Sequence, residues 1–243
     1  MWVIGNYVIT TTTFIRASAF IISSLLAVDH IKRRGLDPAI LYNTGFAAII
    51  SGIFGSHMLV VLLNLRSYLK HPIDIFALGR GGFSAYGALL FAGIGAYIYL
   101  RIKRLSVNTI GDLLAPYAAL ALAIARISCF IGGCCYGKEA ACGIWGPVMK
   151  KILIPTQLIS SLALLLIFVA LRLLQERPHK DGQVLYLLFV LYGIKRFLIE
   201  FWRGDTHQFL WGLTLFQCFS ILLIGFACVQ LMRLQKKARP TKK

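Results

Sequence analysis

The residues between 192 and 203 combine charge and helical spacing in a way that suits an anionic ligand. Arg196, Glu200 and Arg203 are separated by four and then three positions. Tyr192 precedes Arg196 by four, so all four side chains fall on one face of a helix. Arg196 and Glu200 can pair in register, which lowers the cost of carrying both away from water. The pattern favours an anion-binding face, and the alternative is an ion pair that locks two helices together.

Another arginine, Arg126, stands directly before a segment rich in glycine and cysteine, 128–138. A guanidinium group binds phosphate through paired N–H donors. Glycines allow tight backbone bends and the close approach of a ligand. An arginine that snorkels from a helix end is the simpler alternative. Because the glycines follow directly, the sequence favours a binding role for Arg126.

Four of the six cysteines fall in or next to this segment: Cys129, Cys134, Cys135 and Cys142. A disulfide of Cys134 or Cys135 with Cys142 is one use, if that face is oxidising. A reactive thiolate is another, since nearby cations would lower a cysteine pKa. Metal binding is the third, but the spacing is not a standard zinc pattern and no histidine lies nearby. The sequence therefore predicts neither a metal nor another cofactor.

Two further polar segments precede these. The glycine-rich stretch 79–87 holds Arg80 and Tyr86 and predicts a tight loop before a helix. Tyr86 could act as a hydrogen-bond donor or a weak acid–base group, although tyrosine is also common at membrane interfaces. The Gly-x-x-Gly spacing of 52–55 predicts close helix packing. His57 follows it, and a hydrogen bond to a neighbouring helix explains that histidine more simply than catalysis does.

The elements that must position these groups are apolar. The chain of 243 residues is 58% hydrophobic and 14% charged, with a mean hydropathy of +0.74, whereas a soluble domain carries about 25% charged residues. This composition excludes disorder and argues against a water-soluble domain. Spanning helices need roughly 20 apolar residues. Seven runs qualify, at about 8–29, 40–64, 84–101, 111–132, 155–174, 183–202 and 209–232. The predicted fold class is all-α, a polytopic membrane protein.

The charge balance indicates how such a protein is oriented. Lys and Arg number 26 against 9 Asp and Glu, a net charge of +17. Loops after runs one, three and five, with the basic tail 233–243, hold 15 of the basic residues, and the opposite loops hold 7. Basic loops stay inside, which predicts an outer N-terminus, a cytoplasmic C-terminus and no nucleic-acid partner. The remaining four basic residues lie inside predicted runs, where charge is costly: Arg16, Arg126, Lys195 and Arg196.

Several segments taken together resemble the prolipoprotein diacylglyceryl transferases. The likeness covers nearly the whole chain in order and rests on Lys32–Pro38, Gly52–Gly55, Gly111–Pro116, Arg126–Ile131, Pro155–Leu158 and Tyr192–Arg203. The resemblance implies a single seven-span membrane domain over 1–243 in the bacterial cytoplasmic membrane. It implies transfer of the diacylglyceryl group of phosphatidylglycerol to the lipobox cysteine of a preprolipoprotein.

The resemblance also implies roles for individual residues. Arg126, Arg196 and Arg203 match arginines that hold the lipid headgroup, and Gly137, Tyr192 and Glu200 match functional positions. This chain departs from the family where Cys129 and Cys134 replace an asparagine and a glutamate, and where Tyr86 replaces the histidine of a His-Gly-Gly segment. Tyrosine is a poor general base unless its pKa falls from about 10. The half of the site that would activate a thiol is therefore altered.

Three functions follow as hypotheses. The first is a transferase of this type that moves a diacylglyceryl group from an anionic, phosphatidylglycerol-like lipid to a protein cysteine thiol or a related acceptor. The second is a non-catalytic phospholipid-binding or lipid-transport paralogue, and the third is a thiol-redox membrane protein. The catalytic residues predicted for the first are Tyr86, Arg126, Cys129, Cys134, Arg196 and Glu200. The substrate-binding residues predicted for it are Arg126, Gly137, Tyr192, Arg196 and Arg203.

Overall fold

The computed structural model describes residues 2–4, 7–69, 85–146, 150–206, 208–210 and 212–237. This part of the chain is predominantly helical, as predicted. Its helices are α1 (Thr11–Arg33), α2 (Ala39–Leu63), α3 (Leu65–Tyr68), α4 (Ala85–Ile102), α5 (Val107–Ile131), α6 (Thr156–Gln175), α7 (Gln183–Glu200) and α8 (Leu215–Lys237). Its strands form three antiparallel hairpins: β1 (Trp2–Ile4) with β2 (Tyr7–Ile9), β3 (Glu139–Gly146) with β4 (Lys151–Leu153), and β5 (Gln208–Leu210) with β6 (Leu213–Thr214).

The seven long helices coincide with the seven predicted apolar runs. Among the described residues, five of them are long and apolar enough to cross a membrane: α1, α2, α5, α6 and α8. Helix α7 carries three charged residues within 18 positions, and the described apolar part of α4 is limited to Leu90–Ile102. Large apolar side chains such as Phe46, Leu166 and Leu222 are exposed along these helices. Contact of such an apolar surface with lipid is more favourable than its contact with water. Seven spans and their orientation stay predictions.

The chain packs as two compact units, one formed by residues 1–30 and 108–243 and the other by residues 31–107. The prediction of a single membrane domain over 1–243 stays a prediction. Helix α8 carries the start of the predicted basic tail, through Lys237, and residues 238–243 lie outside the described part of the chain.

The first unit is built on α5, α6 and α7. Small residues of α5 let the backbones approach closely, and aliphatic residues of α6 and α7 fill the space between them. This core consists of Ala115, Ala119, Ala123, Leu164, Ile167, Leu171, Val184 and Leu188. Helix α8 packs against α7.

Asp112 connects the start of α7 to α5. Its Oδ2 accepts a hydrogen bond from the Gly182 N–H at 2.6 Å, and its Oδ1 accepts one from the Leu185 N–H at 2.7 Å. These bonds satisfy N–H groups that a helix start leaves without partners. Gln175 Nε2 donates to the Asp112 carbonyl, and His179 lies 3.9 Å from the carboxylate. We call Asp112, together with Gln175, His179 and the N–H groups of Gly182 and Leu185, the Asp112 cap.

The second unit is built on α2 and α4. A Cβ added at Gly52 would lie 3.1 Å from the carbonyl oxygen of Ala88, and one added at Gly55 would collide with Phe91. The predicted close packing at the Gly-x-x-Gly spacing is therefore confirmed. His57 is buried in this unit and meets the Tyr68 ring edge-on, with ring centroids 6.4 Å apart.

Candidate functional site

The predicted ion pair of α7 is present and deeply buried. Arg196 Nη2 lies 3.2 Å from Glu200 Oε2, and Arg203 Nη1 lies 3.5 Å from the same oxygen. Glu200 is only 2% exposed, and the two arginines are below 10%. One carboxylate therefore holds two guanidinium groups side by side.

The helix ends earlier than the sequence predicted, so Arg203 does not lie on it. Helix α7 stops at Glu200, and a turn carries the chain to Arg203. Arg203 is instead oriented by Asp205, whose two oxygens accept hydrogen bonds from Nε at 2.8 Å and Nη2 at 2.9 Å. This fork-shaped pairing fixes the plane of the guanidinium group. Asp205 was not among the predicted site residues.

The beginning of α8 fixes the other side of Glu200. Thr214 Oγ1 donates to Glu200 Oε1 at 3.0 Å. Thr214 also caps α8, since its N–H donates to Gln217 Oε1 at 2.9 Å and its Oγ1 accepts from the Gln217 N–H. The Thr-x-x-Gln spacing before an apolar run is the sequence signal of such a capping box. The Phe216 ring centroid lies 4.1 Å from the Arg196 guanidinium carbon, a cation–π contact.

Gly137 docks the segment after α5 against Arg203. The two residues form an isolated antiparallel bridge, the Lys138 N–H donates to the Trp202 carbonyl at 2.8 Å, and the Gly204 N–H donates to the Tyr136 carbonyl at 3.0 Å. A Cβ at Gly137 would collide with the backbone carbonyl of Ile154. Glycine is therefore required at this position for close backbone approach.

The three thiols Cys129, Cys134 and Cys135 converge beside this bridge. Their sulfur atoms all lie within 4.8 Å of one another, and all three are free. The suggested pairing with Cys142 is not formed, and the Cys142 side chain lies outside the described residues.

The Cys135 backbone is held in the left-handed region, with φ of 60°. Two residues of the α6 start support that conformation. Thr156 Oγ1 donates to the Cys135 carbonyl at 2.8 Å, and Gln157 Nε2 donates to the Cys134 carbonyl at 2.9 Å. A non-glycine residue in this region costs roughly 1–2 kcal/mol and persists only when its surroundings hold it. The Pro155–Leu158 segment thus orients the thiols.

The Cys135 thiol interacts both with a second thiol and with positively charged side chains. A hydrogen bond with the Cys129 thiol, helped by the charges of Arg203 and Arg126, lowers the pKa of Cys135 below its usual range. Arg126 also lies within electrostatic range of Lys195 and Arg196. The structure therefore brings Arg126 and the thiol cluster together with the Arg196–Arg203 pair.

Two further basic residues were predicted to lie in spans but received no role: Lys195, which is buried, and Arg16, which is exposed. Lys195 Nζ donates to Ser160 Oγ at 3.0 Å and lies 4.6 Å from the centroid of the Tyr192 ring. Arg16 Nε donates at 3.0 Å to Oγ of Ser128, which is fully buried. The signal that could have found both is a basic residue inside an apolar run. Tyr192 lies within electrostatic range of Arg196.

Two predicted positions lie elsewhere. Tyr86 is the second residue of α4 and belongs to the unit 31–107, and its side chain lies outside the described residues. Arg80 also lies outside the described residues, as does the part 79–84 of the predicted loop 79–87, whereas residues 85–87 form the start of α4.

We call the set of charged residues described above the cationic site. Within the described part of the chain, it contains four basic side chains and two carboxylates: Arg126, Lys195, Arg196 and Arg203 with Glu200 and Asp205. Arg126 forms no ion pair with a carboxylate of the described residues. Lys195, Arg196 and Arg203 are buried and Arg126 is half-buried, and a surplus of cations away from water favours a bound anion. Fold and site together define a helical membrane protein with a cluster of basic side chains as its candidate functional site.

Comparison with known proteins gives the family. The profile of the prolipoprotein diacylglyceryl transferases matches residues 1–233, so the chain belongs to this family. A phosphatidylglycerol–prolipoprotein diacylglyceryl transferase of Clostridium tetani is 31% identical over 228 residues, covering 89% of this chain and 91% of the relative. A second, from Clostridium perfringens, is 30% identical over 220 residues, covering 87% and 86%. One from Pediococcus pentosaceus is 30% identical over 221 residues, covering 85% and 79%.

Proposed function

We propose that this protein transfers the diacylglyceryl group of phosphatidylglycerol to the cysteine thiol of a prolipoprotein. The observation that carries the proposal is the surplus of cations in the cationic site, three of which are buried. Its residues other than Asp205 fall within the segments where the sequence resembles the family, Arg126–Ile131 and Tyr192–Arg203. The relatives' names supply both substrates, and the surplus charge is matched by the phosphate of the lipid.

The arginines bind the lipid phosphate. Arg126, Arg196 and Arg203 surround it, and their N–H donors pair with its oxygens. Glu200 and Asp205 neutralise part of the charge of Arg196 and Arg203 and set their orientation. Gly137 belongs to the binding site because it keeps the Arg203 segment in place.

The same arginines stabilise the departing group. In the transfer, the acceptor sulfur attacks the terminal glycerol carbon of the diacylglyceryl group. The bond from that carbon to the phosphate oxygen breaks, and the electron pair leaves with glycerol phosphate. Charge then grows on the oxygen, and fixed cations in a site shielded from water stabilise it strongly. Arg126 and Arg196 are the residues proposed for this role, with Glu200 in contact with Arg196.

The acceptor thiol must also lose its proton. Tyr86, Cys129 and Cys134 are the residues proposed for this half of the site. A cysteine of the chain that attacked the lipid itself would form a thioether, which is too stable to pass the group on. We therefore assign the chain's thiols to activation of the acceptor and not to a covalent intermediate.

The proposal includes a topology. The chain spans the bacterial cytoplasmic membrane seven times, with the N-terminus outside and the C-terminal basic tail inside. Helices α5 and α7 both begin at the Asp112 cap, so the cationic site stands at their other end. With basic loops inside, that end is the outer one. Cysteine accessibility labelling of loop positions in intact cells tests this arrangement.

The function is tested with purified full-length protein in nanodiscs. Phosphatidylglycerol labelled in its acyl chains is supplied with a lipobox peptide, and a peptide with serine in place of the cysteine serves as the matched control. We expect label and a diacylglyceryl mass increase on the cysteine peptide but none on the control. Lipid binding without transfer, under conditions in which a family member works, would contradict the proposal and favour the non-catalytic paralogue.

A further inference from the structure

The three clustered thiols have the geometry of a metal site with one open position. The sulfurs of Cys129, Cys134 and Cys135 lie within 4.8 Å of one another. Three sulfurs bound to a tetrahedral zinc ion at about 2.3 Å stand roughly 3.8 Å apart. A contraction of about 1 Å at most brings the three into that geometry. Cys134 is exposed and the other two are half-buried, so one side of the cluster stays accessible.

Hydrogen bonds within the protein fix the backbone that carries two of these thiols, Cys134 and Cys135. Cys129 lies in the last turn of α5, and Cys134 and Cys135 lie in the turn that follows. The carbonyls of the latter two accept hydrogen bonds from Gln157 and Thr156. These bonds hold the backbone from which the Cys134 and Cys135 side chains project, and groups that fix ligand orientation from outside the ligand set are part of a working metal site.

The charges nearby also suit a metal bound by thiolates. Zinc with three thiolates carries a net charge of −1, and a fourth thiolate makes it −2. Arg203 and Arg126 lie within electrostatic range of Cys135 and compensate that charge. Soft thiolate ligands select zinc or Cu(I) over magnesium or calcium.

We infer that Cys129, Cys134 and Cys135 bind a zinc ion whose fourth position takes the thiol of the acceptor cysteine. The inference rests on the proposed transferase function. It gives the thiol-activating role to three cysteines, of which Cys129 and Cys134 stand where the family resemblance has an asparagine and a glutamate. A thiol bound to zinc is deprotonated at neutral pH.

The step balances without an oxidant or a further reactant. The acceptor thiol releases its proton to solvent when its sulfur binds zinc. The zinc-bound sulfur attacks the terminal glycerol carbon of the lipid and forms a thioether, while the bond from carbon to phosphate oxygen breaks. Glycerol phosphate leaves with the electron pair. The thioether is a weaker ligand than a thiolate, so the product dissociates and the fourth position opens again.

Metal binding is tested without reference to activity. Full-length protein in detergent is loaded with Zn²⁺, and bound metal is measured by mass spectrometry. Loading with Co²⁺ reports sulfur ligands through thiolate-to-cobalt absorption. We expect about one metal ion per chain. Cys129→Ser, Cys134→Ser and Cys135→Ser should each weaken binding at least about tenfold, while Cys218→Ser and Cys228→Ser in α8 should leave it unchanged. Circular dichroism confirms that each variant is folded.

Several results would overturn the inference. These are the absence of bound metal in the wild type, binding that survives replacement of all three cysteines, and loss of binding in Cys142→Ser, which would close the fourth position. Addition of the lipobox peptide should change the cobalt spectrum, and an unchanged spectrum would exclude the acceptor role.

Transfer assays separate this inference from the proposed function. Transfer that continues unchanged after chelation and in the three cysteine variants would overturn the zinc inference and leave the proposed function standing. Metal-loaded protein that transfers nothing would overturn the proposed function and the acceptor role together. We expect chelation to abolish transfer and zinc to restore it.

Discussion

Buried charged groups lie at both ends of helices α5 and α7, but the partners of these groups differ between the two ends. At the Asp112 cap, one carboxylate accepts hydrogen bonds from two N–H groups of the α7 start. Along the same helices, about 20 Å away at 1.5 Å per residue, the cationic site holds more basic groups than carboxylates. The Asp112 carboxylate is paired with groups of the protein itself, whereas the cationic site keeps a surplus of basic groups, which we propose is matched by the lipid phosphate. On this account, the charge of the Asp112 cap stabilises the fold, and the charge of the cationic site is available for a ligand.

The largest expected effect comes from the centre of the cationic site. Arg196→Ala removes one of the donors that face the phosphate and should lower kcat/KM for transfer by about 100-fold or more. Glu200 keeps its contacts with Arg203 and Thr214, so the variant should stay folded. The labelled-lipid assay measures the effect. Arg233→Ala, an exposed arginine of α8, is the control and should keep its activity. Equal activities of the two variants would refute the contrast between the two ends.

Gly137 tests whether close backbone approach positions the cationic site. In Gly137→Ala the new methyl group collides with the Ile154 carbonyl, and the bridge to Arg203 must shift. Overpacking costs about 1–3 kcal/mol, and displacement of Arg203 should reduce transfer at least about tenfold. Gly225→Ala in α8 adds the same methyl group where nothing lies within 4 Å. Transfer rates and thermal unfolding of the two variants should differ clearly; similar values would show that the bridge does not position Arg203.

Substitution of Asp112 should lower stability and leave transfer nearly unchanged, the opposite of the result expected for Arg196. Asp112→Ala leaves two buried N–H groups without an acceptor and should lower the free energy of unfolding by about 1–3 kcal/mol. Transfer per folded chain should change by less than about threefold, because the cap is far from the cationic site and contributes to stability. Denaturant unfolding in mixed micelles and the transfer assay measure the two quantities. A large loss of transfer in a fully folded variant would place the Asp112 cap in the reaction.

Substitution of Thr156 should have the smallest effect on transfer. It tests whether the hydrogen bond from Thr156 to the Cys135 carbonyl helps to position the thiols. Thr156→Ala removes the hydrogen bond to the Cys135 carbonyl and should cost about 1 kcal/mol of stability. Ser161→Ala removes a bond of the same kind, from Ser161 Oγ to the Ala123 carbonyl, within the helix core. Both variants should lose similar stability, but only Thr156→Ala should also reduce transfer. Equal transfer rates in the two variants would mean that the thiols need no such support.

Much of the fold could be predicted, because long apolar runs in the sequence indicate helices that face lipid. The seven long helices coincide with the seven predicted runs. The pairing of Arg196 with Glu200 was predictable from their spacing, since residues four apart meet on a helix. The position of Arg203 was not, because the helix ends at Glu200 and a turn with its own partner, Asp205, places the side chain.

Contacts between distant segments could not be predicted from spacing. Nothing local in the sequence indicates that Thr156 and Gln157 hold the carbonyls of Cys135 and Cys134. The cysteine pattern likewise matches no standard zinc spacing. Only the turn after α5 brings Cys129 within reach of the other two thiols.

The location of the lipid headgroup tests the central claim most directly. Phosphatidylglycerol with a photoreactive group on its headgroup is incorporated into nanodiscs with the wild-type protein, and cross-linked peptides are identified by mass spectrometry. We predict cross-links in 126–146 and 192–206, around the cationic site, that unlabelled phosphatidylglycerol removes by competition. Cross-links concentrated in 108–112 and 179–185, at the Asp112 cap, or cross-links that resist competition, would contradict the assignment of the lipid phosphate to the cationic site.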